Sequence, residues 1–247
     1  MISKNKLKDL SAYKTQKQCD LDNCFVVEGV KMCDEALKSG WKIHTVCATQ
    51  PWLEAHEQQV ADMDHYALSD AELARLSGQK SPNEVWMLLS RQRPALTAPE
   101  GCPLTLALDH LQDPGNLGTI LRTADWFGIR RVVCTPDTVS CFNPKVVQST
   151  MGAIFRTEIV YTDLQQYLQQ CQLPVYGALL QGNNLYQADL QQRAVLVIGN
   201  ESKGISAPIA ERVTQRLTIP NLGTTGESLN AAVATAILCS EIVSRGK

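Results

Sequence analysis

The sequence predicts an α/β protein in which a mainly parallel sheet covered by helices is preceded by a small α/β domain. Three observations predict it. From residue 104 onward, short apolar runs alternate with segments of helical spacing, the pattern of strands joined by crossover helices. Between the two halves, Pro94, Pro99, Gly101 and Pro103 fall in one short polar stretch, which suits a linker and no inner element. The chain has 247 residues and 44% hydrophobic content, enough to bury one large core or two small ones. The expected organisation is a small domain over residues 1–95, a linker over 96–103 and a larger domain over 104–247.

In the first half, Phe25 to Gly29 reads as a strand end and Val30 to Lys38 as a helix stopped at Gly40. Ile43 to Ala48 reads as a strand. Ser69 followed by Glu72 fits a capping box, in which the serine accepts from the third helical amide and the glutamate reaches back to the serine amide. Val85 to Leu89 closes the half as a strand. In the second half the predicted strands are Leu104–Leu108, Arg131–Cys134, Glu158–Tyr161, Val175–Leu180, Ala194–Ile198 and Arg216–Ile219. Ligands of open parallel sheets bind beyond the carboxyl ends of the strands. A site is therefore expected on the loops after Leu108, Leu180, Ile198 and Ile219.

Composition removes several function classes. The formal net charge of −2 argues against a protein that holds nucleic acid by charge alone. Locally, Lys4, Lys6, Lys8, Lys14 and Lys17 outnumber Asp9 and Asp20, which reads either as a phosphate-contacting arm or as a solvated face. No apolar run approaches the roughly 20 residues of a membrane span, and the polar start lacks a signal-peptide core, so a cytoplasmic protein without membrane association is expected. The nine cysteines are odd in number and form no C-x-x-C pair, so reduced thiols and no metal are expected.

Three segments carry chemistry. In the first, Asp113-Pro114-Gly115-Asn116 opens a helix whose buried stripe is Leu117, Ile120, Leu121, Ala124 and Phe127. Asn116 and Arg122 lie off that stripe, either as a cap and a solvated side chain or as groups facing a cleft. In the second, an apolar strand runs into Gly199-Asn200-Glu201-Ser202-Lys203-Gly204, which matches neither the P-loop nor the dinucleotide turn and so disfavours a nucleotide-dependent oxidoreductase. In the third, a strand stops at Pro220 and a loop leads to Ser228-Leu229-Asn230. Ser228 is the expected cap of the last helix. Leu229, Val233, Ala236, Ile237 and Ser240 are its expected buried side. Asn230 falls in its first turn, where free amides favour anionic groups.

Taken together and in this order, Asp113 to Ala124, Ile198 to Gly204, and Ile219-Pro220 with Glu227 to Asn230 resemble the SpoU (TrmH) family of RNA ribose 2′-O-methyltransferases in the SPOUT superfamily. The stretch around Phe25 to Gly29 is similar to the small substrate-binding domain that precedes many members. One departure is visible: Ala231 and Ala232 stand where many members carry valine and serine. The resemblance implies a C-terminal trefoil knot, S-adenosyl-L-methionine as cofactor, an RNA substrate (ribosomal rather than transfer RNA) and a homodimer with the active site built across the interface. It implies that backbone around Leu180, Gly199, Ile219 and Leu229 holds the cofactor. It places Asn116, Arg122, Glu201, Ser228 and Asn230 near the reacting atoms. Arg122 resembles the residue usually proposed to activate the 2′-hydroxyl; a guanidinium stays protonated, which makes an electrostatic role the safer one, and the sequence does not choose between base and electrostatic stabiliser. Transfer-RNA methylation and a non-catalytic RNA-binding relative are the alternatives.

Overall fold

The computed structural model describes residues 2–79, 81, 83–96, 103–223 and 228–245. Residues 97–102 of the expected linker, and Glu227 of the third motif, lie outside the described residues. The chain divides into two compact units, Met1–Gln92 with Phe142–Phe155, and Arg93–Cys141 with Arg156–Lys247.

The first unit contains α1 (Lys4–Ser11), α2 (Gln16–Leu21), β1 (Cys24–Glu28), α3 (Val30–Lys38), β2 (Ile43–Ala48), α4 (Gln50–Ala55), α5 (Glu57–Val60), β3 (His65–Ala67), α6 (Asp70–Leu76) and β4 (Val85–Ser90). Its sheet has the order β1-β4-β2-β3, antiparallel except for the β2–β3 pair. Leu7 and Leu10 of α1 and Leu73 and Leu76 of α6 pack with Trp86 and Leu88 of β4 in one core. The capping box at Ser69 forms as expected, with Glu72 bonded back to the Ser69 amide at 2.9 Å. Phe142 and Phe155, from the middle of the chain, complete this unit. Phe25 meets Trp41 edge-on at 5.7 Å and Phe142 at a tilt at 5.0 Å, and Trp41 meets Phe155 at 5.4 Å.

The second half continues with β5 (Leu104–Leu108), α7 (Pro114–Trp126), β6 (Arg131–Cys134), α8 (Pro144–Thr150, which packs on β1 in the first unit), β7 (Glu158–Tyr161), α9 (Leu164–Gln170), β8 (Val175–Asn184), β9 (Ala194–Ile198), α10 (Ala207–Ala210), β10 (Gln215–Thr218) and α11 (Ala231–Arg245). Its six strands run in the order β10-β8-β9-β5-β6-β7, and every neighbouring pair is parallel. All residues of β5, β6 and β9 are buried, so these strands read as largely apolar runs, interrupted by Thr105 and Arg131, rather than alternating ones.

In the first half β1 and β4 differ from expectation by one residue, and in the second half two strands differ. β10 starts and ends one residue early, and β8 continues to Asn184. The reason is a break in register: Arg216 pairs with Gly177 while Leu217 pairs with Asn183, so residues 178–182 leave the ladder. A β-carbon at Gly182 would lie 2.7 Å from the Arg216 carbonyl, so the return to the ladder needs a glycine.

The stripe predicted for α7 is buried at Leu117, Ile120, Leu121 and Ala124, whereas its fifth expected member, Phe127, is half-buried and follows the helix as its C-cap. Asp113, not Asn116, caps that helix, accepting from the Asn116 amide at 2.7 Å. The expectation for α11 is corrected on two points. Asn230, not Ser228, is the capping side chain, its oxygen accepting from the amides of Ala232 at 2.9 Å and Val233 at 3.3 Å. The buried side is Ala231, Ala232, Thr235, Leu238, Cys239 and Ile242, whereas Leu229, Val233 and Ser240 are exposed. α11 packs on α7, and small residues allow a close approach between helices. With apolar residues on most of its sides, periodicity alone had no reason to select the alanine face. Among the described residues no helix is long and apolar enough to cross a membrane.

Candidate active site

The site is assembled at the carboxyl ends of β5 and β9 and the amino end of α11. β9 delivers Gly199, where a β-carbon would sit 2.2 Å from the Gly204 carbonyl carbon and 2.3 Å from the Ile205 nitrogen. Glycine is therefore required by the loop's own closure, not only by a ligand. Asn200 and Gly204 exchange backbone hydrogen bonds of 3.0 and 2.9 Å, and the Asn200 side-chain oxygen accepts from the amides of Ser202 and Lys203. This tight loop holds out Glu201.

Glu201 Oε1 accepts from Asn116 Nδ2 at 2.9 Å and from the Asp113 amide at 3.4 Å. Asn116 Oδ1 in turn accepts from Asn230 Nδ2 at 2.8 Å. The residues so joined are 85 and 114 positions apart in sequence. The chemistry of each group fixes the direction of the chain. A carboxylate only accepts, so Asn116 must turn its NH₂ to Glu201 and its oxygen to Asn230. The Asn230 oxygen is committed to the helix amides, so its NH₂ must face Asn116. Both amides are oriented without choice, and each keeps one N–H with no partner among the described residues.

The other candidate residues are placed less uniformly. Arg122 is exposed on α7, roughly 120° around the helix from Asn116 at about 100° per residue, and makes no hydrogen bond or ion pair among the described residues. It does not join the Glu201–Asn116–Asn230 chain. Ser228 is exposed and likewise unbonded among the described residues. Leu180 sits in the 178–182 excursion and is 72% exposed, and Ile219 follows β10 and is half-buried. Their neighbours are tied together, since Thr218 Oγ1 donates to the Leu179 carbonyl at 2.8 Å. Leu229 is exposed immediately before the α11 cap. Leu222, 96% exposed on the loop after β10, was not singled out by sequence. These leucines lend uncovered apolar surface to the loops, which suits the face of an adenine ring. Sequence reasoning also passed over Asp109, His110 and Ser206; the one available signal was an aspartate directly following an apolar strand.

Of the N-terminal lysines, Lys6 pairs with Asp64 at 3.3 Å and Lys14 reaches the Ala74 carbonyl at 3.4 Å, while Lys4, Lys8 and Lys17 are exposed.

Comparison with known proteins identifies the family of the chain. Residues 103–240 match the SpoU rRNA Methylase family, and residues 4–86 match the MRM3-like substrate binding domain. The 23S rRNA (guanosine(2553)-2′-O)-methyltransferase RlmP of Bacillus subtilis is 31% identical over 94% of both chains. An RNA methyltransferase structure of the TrmH family from Porphyromonas gingivalis is 40% identical over 99% of both chains, with a TM-score of 0.86. The AdoMet-bound rRNA methyltransferase of Sinorhizobium meliloti is 27% identical, with a TM-score of 0.88 over 99% of this chain and 97% of that one. With the family matched across its second half and a relative aligned along almost its whole length, the chain belongs to the SpoU rRNA methylase family.

Proposed function

We propose that this protein is an S-adenosylmethionine-dependent enzyme that methylates a ribose 2′-hydroxyl in ribosomal RNA. The observation that carries the reading is the oriented chain Glu201–Asn116–Asn230, which joins three distant motifs at the carboxyl ends of a parallel sheet. Bound S-adenosylmethionine supplies an electrophilic methyl group on a sulfonium. The protein's task is to line up the attacking oxygen and to stabilise it as its proton passes to solvent and the carbon–sulfur bond breaks. Asn116 and Asn230 each keep an N–H for that oxygen or its neighbours, and Ser228 is at hand to bond the ribose. Arg122 acts electrostatically, stabilising alkoxide character or gripping the adjacent phosphate with two parallel N–H donors. Backbone around Leu180, Gly199, Ile219 and Leu229 holds the cofactor, within the knotted C-terminal fold of the family.

A homodimer accounts for two features of the single chain. Arg122 stands apart from the bonded trio, and Trp126, Leu229 and Val233 are 85, 51 and 49% exposed on or beside α7 and α11. In the dimer these apolar groups are covered and Arg122 completes a site across the interface. The first unit, Met1–Gln92 with Phe142–Phe155, grips the RNA, with Lys4, Lys8 and Lys17 available for phosphates. The cytoplasm is the proposed place of action.

Methyl transfer from labelled S-adenosylmethionine to ribosomal RNA tests the reading. The wild-type chain is expected to incorporate label, and Asn116→Ala to lose on the order of 100-fold in rate, as for removal of a pre-aligned donor. A wild-type protein that labels no RNA contradicts it.

A further inference from the structure

We infer that Asp109, His110 and Asp137 are positioning residues of the methyl-transfer centre, which hold the loop that carries Glu201. The inference rests on the methyltransferase reading above and goes beyond it.

The Asp109 carboxyl is wholly buried at the end of β5. Its Oδ2 accepts from the Ser206 amide at 2.6 Å. Its Oδ1 has no hydrogen-bond partner and lies 3.4 Å from His110 Nε2. A buried carboxylate with half its lone pairs unmet is costly, so the neighbouring ring is the group that makes its position tenable. His110 adopts a φ of 56°, the left-handed region that a histidine enters at a cost. In that conformation the His110 carbonyl accepts from Asn200 Nδ2 at 2.7 Å, and the ring stands within reach of Asp109. The ring's Nδ1 bonds the Asp137 carboxylate on the loop after β6, and the Asp137 carbonyl accepts from Gln112 Nε2 at 2.6 Å. Both ring nitrogens therefore face carboxylate oxygens, which only accept.

The consequence is mechanical. The 199–206 loop is pinned at two points, Asn200 and Ser206, and both pins end on residues 109 and 110. Glu201 projects between them to Asn116. His110 touches none of the bonded trio; it acts through the loop, and its loss lets Glu201 drift from Asn116.

His110→Gly and His110→Asn test this, because both residue types accept left-handed backbone and neither strains the turn. Glycine removes the ring; asparagine keeps a donor for Asp137. The full chain is assayed on ribosomal RNA for kcat and KM, and S-adenosylhomocysteine binding is followed by calorimetry. The expected result for His110→Gly is a kcat lowered about tenfold or more with KM and cofactor affinity nearly unchanged, since small displacements of an aligning group act on turnover. His110→Asn is expected to fall between glycine and wild type. An unchanged kcat in His110→Gly overturns the inference, as does a loss that appears wholly in cofactor affinity. If the wild-type chain itself transfers no methyl, the methyltransferase reading fails and takes this inference with it, a result distinct from an active wild type matched by His110→Gly.

Discussion

At the scale of single residues, the site separates side chains that are already oriented from those, Arg122 and Ser228, that are not. Asn116 is used at both ends of its amide, whereas Arg122 is exposed and makes no bond among the described residues. A group held for the transition state rather than for the fold can be removed without unfolding the protein or emptying the cofactor pocket. Arg122→Ala is therefore expected to abolish nearly all turnover while calorimetry shows S-adenosylhomocysteine still bound; near-normal methylation by that variant removes Arg122 from the chemistry. Gly199 makes the opposite case. Its missing β-carbon would lie 2.2 Å from backbone of the same loop, so Gly199→Val must displace residues 204 and 205 before any ligand arrives. The expected outcome is weaker cofactor binding together with a lower melting temperature, and an unchanged cofactor affinity would remove Gly199 from the pocket.

At the scale of elements, Asn230 has two duties that can be pulled apart. It caps α11 through its oxygen and meets Asn116 through its nitrogen. Serine also caps helices but cannot supply an NH₂ group. Asn230→Ser is expected to keep stability within a few tenths of a kcal/mol while losing activity, and Asn230→Ala to lose activity and about 1 kcal/mol in urea melts. Equal activity of Asn230→Ser and wild type would reduce Asn230 to a cap. The same helix shows where the sequence was legible and where it was not. β5 and β9 could be read directly because burial on both faces leaves an apolar run with sharp ends. The α7 stripe could be read because Asn116 and Arg122 interrupt one side of it. α11 could not, because alanine, valine, leucine and isoleucine occupy most of its sides, and only packing on α7 decides that Ala232 turns inward and Val233 outward. The excursion at residues 178–182 was equally hidden: nothing in the local sequence says that Gly177 and Asn183 will face consecutive residues of β10. Asn116, Glu201 and Asn230 emerged from motif order and resemblance. Asp109, His110 and Ser206 did not, because one buried carboxylate has no spacing by which to announce itself.

At the scale of the whole molecule, two units fold from an interleaved chain: residues 142–155 leave the second unit to complete the aromatic core of the first, then return. A single chain leaves Trp126 85% exposed beside Arg122. Light scattering on the purified protein is expected to give twice the 27.2 kDa chain mass, and a stable, active monomer would contradict the proposed shared site. The central claim is that the converged motifs modify one ribose in ribosomal RNA. Its most direct test maps 2′-O-methyl groups across ribosomal RNA from cells with the gene, without it, and complemented by wild type or Asn116→Ala. The account predicts that a methylated ribose disappears on deletion and returns with wild type but not with Asn116→Ala. Identical maps with and without the gene would contradict it.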